Sequence, residues 1–206
     1  AGMHRRFNGS PLQIMRYFYP ENDWLEFRFS MAPKGYWDSH ENLLRYMEWL
    51  GSVLGIEEME DWYKITRNDF VNNHGNAPLT YYKGSPSAVI DAAFPEYDWH
   101  PWRFTMSPLN TWNNREVFVR YMDWIGNKLE YTKPEDWYSV QGKDFEYGQG
   151  MLLHYGGSPS KAVMDYILDY DWKEWLFEKA RSNFWRDSDN QIKYLDWLGD
   201  LLGFTK

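Results

Sequence analysis

Three kinds of residue in this 206-residue chain carry chemistry that can act on another molecule: serines at helix starts, carboxylates beside aromatic rings, and histidines. Ser10, Ser85 and Ser158 each stand in a Gly-Ser-Pro triplet. A serine nucleophile needs a general base within hydrogen-bond reach and a strained turn, such as Gly-x-Ser-x-Gly, to present it. The sequence supplies neither. His4, His40, His74, His100 and His154 share no register with the triplets or with one another, and no two stand four apart on a helix face. That scatter argues against a metal site, and the lack of cysteine removes thiolate ligands, disulfides and a cysteine nucleophile. Glu60-Asp61 and Glu135-Asp136, with Asp98 and Asp171, have the groups for acid–base work. They recur at matched positions, however, and a duplicated active site explains that less well than solvated acids or caps. The chain is expected to be non-enzymatic, with no metal and no cofactor.

Binding chemistry is left. In a Gly-Ser-Pro helix start, Gly permits the turn, Ser caps free N–H groups and Pro occupies N1, where its missing N–H costs nothing. Such a start can also hold an anion, or lead a helix into a DNA groove. The residues that would take part are Ser10, Arg16, Lys83, Ser85, Ser87, Ser158, Ser160 and Lys161. Plain capping explains the triplets too, and the helices carry few cations. The indoles beside acids, in Asp61-Trp62-Tyr63, Asp136-Trp137-Tyr138 and the turns ending at Trp24, Trp99 and Trp172, can stack on bases or sugars or enclose a cation.

A repeat places all of these residues. Gly35–Ile65 has a close copy at Asn110–Val140 and a partial one from Asn183, led by Trp37, Trp112 and Trp185 at spacings of 75 and 73 residues. Self-similarity at a fixed period means repeated structural units. The expected segments are 1–29 (partial), 30–104, 105–177 and 178–206 (partial), a slice of an array with a period of about 74 residues that opens and closes inside a unit. All 13 tryptophans fall at matched positions. Trp37, Trp49, Trp62, Trp99, Trp112, Trp124, Trp137, Trp172, Trp185 and Trp197 are therefore expected in the structural core.

Within a unit the fold should be all-α. A short helix follows each Gly-Ser-Pro and is stopped by Pro20 or Pro95; the third segment has no proline there and reaches Asp169, so that helix is expected to run further. An aromatic loop follows, then an irregular link containing Pro33 or Pro108. The longest helices begin after caps at Asp38, Asn113 and Asp187. Their apolar stripes are Leu43, Leu44, Met47, Leu50 and Leu54 in the first copy and Phe118, Val119, Met122, Ile125 and Leu129 in the second. Gly51, Gly126 and Gly199 fall inside these helices, at ~1 kcal/mol each against Ala, which points to the close approach of a ring. Gly55 and Gly203 read as C-terminal caps, with Glu130 at the middle position. Short helices are expected near Asn68–Phe70 and Lys143–Phe145.

The net charge is −8, and segments 30–104 and 105–177 hold the acidic excess. An acidic field opposes phosphate backbones. No apolar run approaches the ~20 residues of a membrane span, and no signal peptide is visible. The absence of cysteine fits a reducing, intracellular setting.

The motifs Tyr36-Trp37, Tyr46-x-x-Trp49-Leu50-Gly51, Asp61-Trp62-Tyr63, Asp69-Phe70, Gly84-Ser85-Pro86-Ser87 and Pro95-x-x-x-Trp99 with Trp102 and Phe104 span nearly the whole chain. Together they resemble the tryptophan-rich repeats found in tandem in large proteins of eukaryotic microbes such as algae and fungi. The order of Asp-Phe, Gly-Ser-Pro helix and tryptophan is more distantly similar to small helical repeats attached to homing endonucleases, a resemblance that implies DNA binding. The expected function is a helical-repeat interaction module for a protein or peptide. The alternative is nucleic-acid binding through the Gly-Ser-Pro helices.

Overall fold

The computed structural model describes residues 6–29, 32, 34–108, 110–180 and 183–204; His4, Pro33, Thr205 and Lys206 lie outside the described residues. The protein is all-α, and no strand occurs among the described residues. It divides into two compact units, Ala1–Leu109 and Asn110–Lys206. The expected boundaries at 29/30 and 177/178 fall inside these units.

The first unit contains α1 (Pro11–Phe18), α2 (His40–Leu54), α3 (Arg67–Asn72), α4 (Asn76–Tyr81) and α5 (Pro86–Ala93). The second contains α6 (Arg115–Lys128), α7 (Gln149–His154), α8 (Pro159–Tyr166) and α9 (Ser188–Leu201). Segments of 3₁₀ helix, three or six residues long, lie between several of them.

The helices α1, α5 and α8 start as the triplets dictate. Ser10, Ser85 and Ser158 accept from the backbone N–H of Gln13 (3.3 Å), Ala88 (3.2 Å) and Lys161 (3.4 Å), with Pro next in line. All three helices are 8 residues long, so α8 does not run further despite lacking a proline. The reason is a side chain five residues past each C-terminal cap, Tyr19, Phe94 and Ile167. The indole N–H groups of Trp24, Trp99 and Trp172 donate to the carbonyls of Tyr19 (3.0 Å), Phe94 (3.0 Å) and Ile167 (2.9 Å). Each indole claims a carbonyl that a further helical turn would have needed.

The long helices α2, α6 and α9 begin at Ser39, Asn114 and Asp187, whose side chains accept from Asn42, Glu116 and Asp189 N–H groups. Asp38 and Asn113 are therefore not the caps. They close the 3₁₀ turns Tyr36–Asp38 and Thr111–Asn113, which push the cap one residue on.

Tyr46 of α2 and Tyr121 of α6 are fully buried. Their hydroxyls donate to the backbone carbonyls of Asn73 (3.0 Å) and Glu146 (2.9 Å). Gly75 and Gly148 follow closely, and a Cβ at either would strike the tyrosine hydroxyl. Burial pushes both hydroxyls well above the ordinary tyrosine range.

The glycines inside the long helices do face rings in two of three cases. A Cβ at Gly51 would lie 3.2 Å from Trp62 Cζ2, and one at Gly126 would lie 2.9 Å from Trp137 Cζ2. At Gly199 a Cβ would meet nothing within 4 Å. Opposite outcomes follow from one substitution. Gly126→Ala should lower the urea-derived stability of its unit by about 1–3 kcal/mol, because Trp137 must shift. Gly199→Ala should raise it by about 0.5–1 kcal/mol through helix propensity alone. Equal effects at the two positions would refute the packing account.

Candidate interaction surface

The Gly-Ser-Pro residues are built into the helix ends more than displayed on them. Ser10, Ser85 and Ser158 are half-buried caps. Ser87 and Ser160 are buried and hydrogen-bond to Ser85 (2.9 Å) and Ser158 (3.0 Å). Arg16 is turned onto the buried carboxylate of Glu26, which also accepts from Arg45 at 3.0 Å. Lys83 and Lys161 are exposed. Two of the five serines grouped as phosphate ligands are thus closed off by packing, and one of the three cations already holds an ion pair.

The paired carboxylates are engaged in local contacts. Glu60 receives the guanidinium of Arg103 and the hydroxyl of Tyr97, while Arg103 lies over the Tyr63 ring at 4.4 Å. Arg103 first, and then the Tyr97 hydroxyl, holds Glu60 below the usual carboxylate range. The same contact pushes the Tyr97 hydroxyl up to about 12. Asp61 is also lowered, by Lys64 at 2.8 Å and by the backbone N–H groups of Glu58 and Glu57. Asp136 is lowered by the Thr132 and Lys133 N–H groups, and Glu135 accepts from Tyr170. Asp98 lies 3.8 Å from the His100 ring, and Asp171 pairs with Lys173. Asp61 and Asp136 accept from the backbone of their turns, and Glu60 and Glu135 hold the Tyr97 and Tyr170 hydroxyls. Among the described residues no group of three or more His, Cys, Asp or Glu is arranged to hold a metal ion. No described helix is long and apolar enough to cross a membrane.

The tryptophans divide by burial. Trp62, Trp99 and Trp137 are buried, as is Trp102, while Trp37, Trp49, Trp112, Trp124, Trp172 and Trp197 are half-buried. Trp185 departs from its expected place in the core, with 46% of its surface exposed. It rests edge-on against Phe184 and Tyr194, at 4.9 and 5.2 Å. Its counterpart Trp112 is also approached by Gly150, where a Cβ would lie 2.7 Å from the indole Nε1.

That difference extends along the whole of α9. In α2, Met47 and Leu50 are fully buried, and in α6 Met122 and Ile125 are as well. The matched α9 positions are Leu195, 62% exposed, and Leu198, half-buried. Ile192 and Leu202 extend the stripe at 56% and 61% exposed. The spacing puts all four on one helical face. In the first unit α5 packs on α2, and His40 Nε2 bonds the Ala93 carbonyl at 3.1 Å. In the second, Arg115 of α6 bonds the Asp165 carboxylate (2.5 Å) and carbonyl (2.6 Å) on α8, and Tyr166 donates to Asp123. Fully burying one Leu or Ile is worth about 1.5–3 kcal/mol, so covering this stripe would offset part of the entropy cost of association.

Apolar stripes are read from the sequence in α2 and α6 and none in α9. Tyr46 stands in one of the sequence motifs, but its hydroxyl and that of Tyr121 are not singled out there as buried anchors, although their matched register is the available signal. Comparison with protein-family models, with curated proteins and with solved structures returns no match.

The Glu60 cluster gives a pH test. Its folded pKa is depressed, so its contribution is present above the unfolded value of about 4.3 and is lost as pH falls through the lower folded value. Glu60→Gln should cost about 1 kcal/mol at pH 7, a modest figure because the pair is partly solvated. The gap to wild type in urea melts should close below pH 4. A gap that persists unchanged to pH 3 would mean the charge is irrelevant.

Proposed function

We propose that this chain is a non-enzymatic module of tandem helical repeats, about 74 residues each, that binds a protein or peptide through the apolar face of α9. The observation that carries the reading is the α9 stripe: three large aliphatic side chains more than half exposed, where the matched positions of α2 and α6 are buried (Met47, Met122) or half-buried (Leu44, Leu54, Val119, Leu129). Contiguous exposed apolar surface of this kind marks interaction sites.

The repeat reading draws support from contacts that recur at the sequence period. The tyrosines of the two Asp-Trp-Tyr turns accept alike: Tyr63 Oη from the His100 N–H and Tyr138 Oη from the Lys173 N–H, both at 2.9 Å. Their carbonyls accept alike as well, from Thr105 and Glu178 N–H groups at 3.0 Å. The resemblance to tryptophan-rich tandem repeats agrees with this. The nucleic-acid alternative is weakened by the buried Ser87 and Ser160, by Arg16 paired to Glu26, and by the net charge of −8.

Selection of a displayed library of amphipathic helical peptides against the protein tests the reading. Peptides should be enriched whose binding drops at least tenfold with Leu195→Glu. Failure to enrich any, or binding indifferent to that substitution, argues against the α9 face. In parallel, duplex and single-stranded DNA and RNA should give no mobility shift at tens of micromolar protein in low salt. A salt-sensitive shift would favour the nucleic-acid alternative.

A further inference from the structure

We infer that the second unit binds an arginine side chain of a peptide or protein, in a cavity beside the start of α8. The cavity measures about 430 Å³, within the ~300–1,000 Å³ of small-ligand pockets. Val140, Gly142, Gly157, Phe177 and Glu178 are among the residues that line it. It shares no residue with the α9 stripe, and neither reading depends on the other.

The first unit has matching walls and an occupant. The Thr66 and Gln141 N–H groups donate to the Asp69 and Asp144 carboxylates, each at 2.8 Å. Gly84 and Gly157 both take the left-handed backbone, at φ 80° and 76°. Ser85 bonds Ser87 as Ser158 bonds Ser160, and Phe104 and Phe177 are both buried. One position differs. Arg67 opens α3, and its Nη1 donates to the Gly84 carbonyl at 3.2 Å. The matched residue in the second unit is Gly142. A Cβ at Gly84 would lie 2.9 Å from the Arg67 guanidinium, whereas one at Gly157 or Gly142 would meet nothing within 4 Å among the described residues. The place of the guanidinium is thus open in the second unit, and no described residue donates to the Gly157 carbonyl.

The walls favour a guanidinium there. Glu178 stands where the first unit has Thr105, so the cavity gains a carboxylate. Gln141 donates to one oxygen of that carboxylate and holds it in place. A guanidinium has five donors in a planar fork and can reach a carbonyl and a carboxylate together. Lys143 and Lys179 also line the cavity, but both are exposed, and water and salt screen their repulsion of a second cation. They would suit an anion, yet the hydroxyls at the start of α8 are engaged. Ser158 and Ser160 bond each other, and Ser158 also accepts the Lys161 N–H.

An NMR titration of the full chain with N-acetyl-arginine methylamide, with its lysine analogue and with inorganic phosphate is the test. The arginine compound should shift the Gly142 and Gly157 amides saturably, in the millimolar range that suits so small a ligand. The lysine compound should act at least about tenfold more weakly, because it lacks the fork. Gly142→Arg should supply the guanidinium from within and abolish binding. Gly142→Ala meets no clash and should keep it. An arginine compound that gives no saturable shift at tens of millimolar overturns the inference, as does an equal response to lysine or undiminished binding by Gly142→Arg. Phosphate acting on these amides in place of arginine would make the cavity an anion site and overturn it equally. Leu195→Glu should leave every result unchanged, so failure here does not touch the α9 reading.

Discussion

A buried tyrosine hydroxyl that must find an acceptor is the constraint from which most of this structure follows. Tyr46 and Tyr121 sit at the middle of the long helices with no exposed surface. A phenol there would forfeit its hydration unless it were bonded. The chain meets the demand with a backbone carbonyl from the turn after Phe70 or Phe145, and that turn has to come close. Closeness excludes a Cβ, so glycine stands at 75 and 148 for steric reasons, with an unstrained backbone φ of −88° and −94°.

The tyrosine is also where the rings converge. Around Tyr46 stand Phe27, Trp37, Trp49 and Phe70, at centroid distances from 5.1 to 6.2 Å. Around Tyr121 stand Trp112, Trp124 and Phe145. Around Tyr194 stand Trp175, Trp185 and Trp197. Edge-on and tilted pairs add about 0.5–1.5 kcal/mol each beyond area burial. An aromatic shell built on one polar anchor explains how helices of 6 to 15 residues hold their arrangement, although most are too short to persist alone.

Much of this was legible in the sequence because the signals were local. Gly-Ser-Pro specifies a cap, a turn and an N1 residue without help from the rest of the fold. Gly51 and Gly126 advertised a ring by their cost, and Trp62 and Trp137 are the rings. The failures came where a distant group decided. Asp38 looks as good a cap as Ser39; a left-handed Gly35 at φ 75° chose between them by starting a 3₁₀ turn one residue early. Trp185 read as interior because it falls at a matched position of the repeat. Periodicity reports which face is apolar, and it does not report whether anything lies on that face.

The indole tethers carry a consequence for how such a chain can diverge. A helix that ends at its own proline is tied to that residue. Here the stop is applied from five residues beyond the accepting carbonyl, by an N–H that needs only a carbonyl, and every residue, proline included, offers one. The boundary position is thereby released from duty: proline follows Tyr19 and Phe94, leucine follows Ile167, and the length is the same. Substitutions can accumulate at the visible edge of the element while its true terminator, a tryptophan in the next loop, stays fixed.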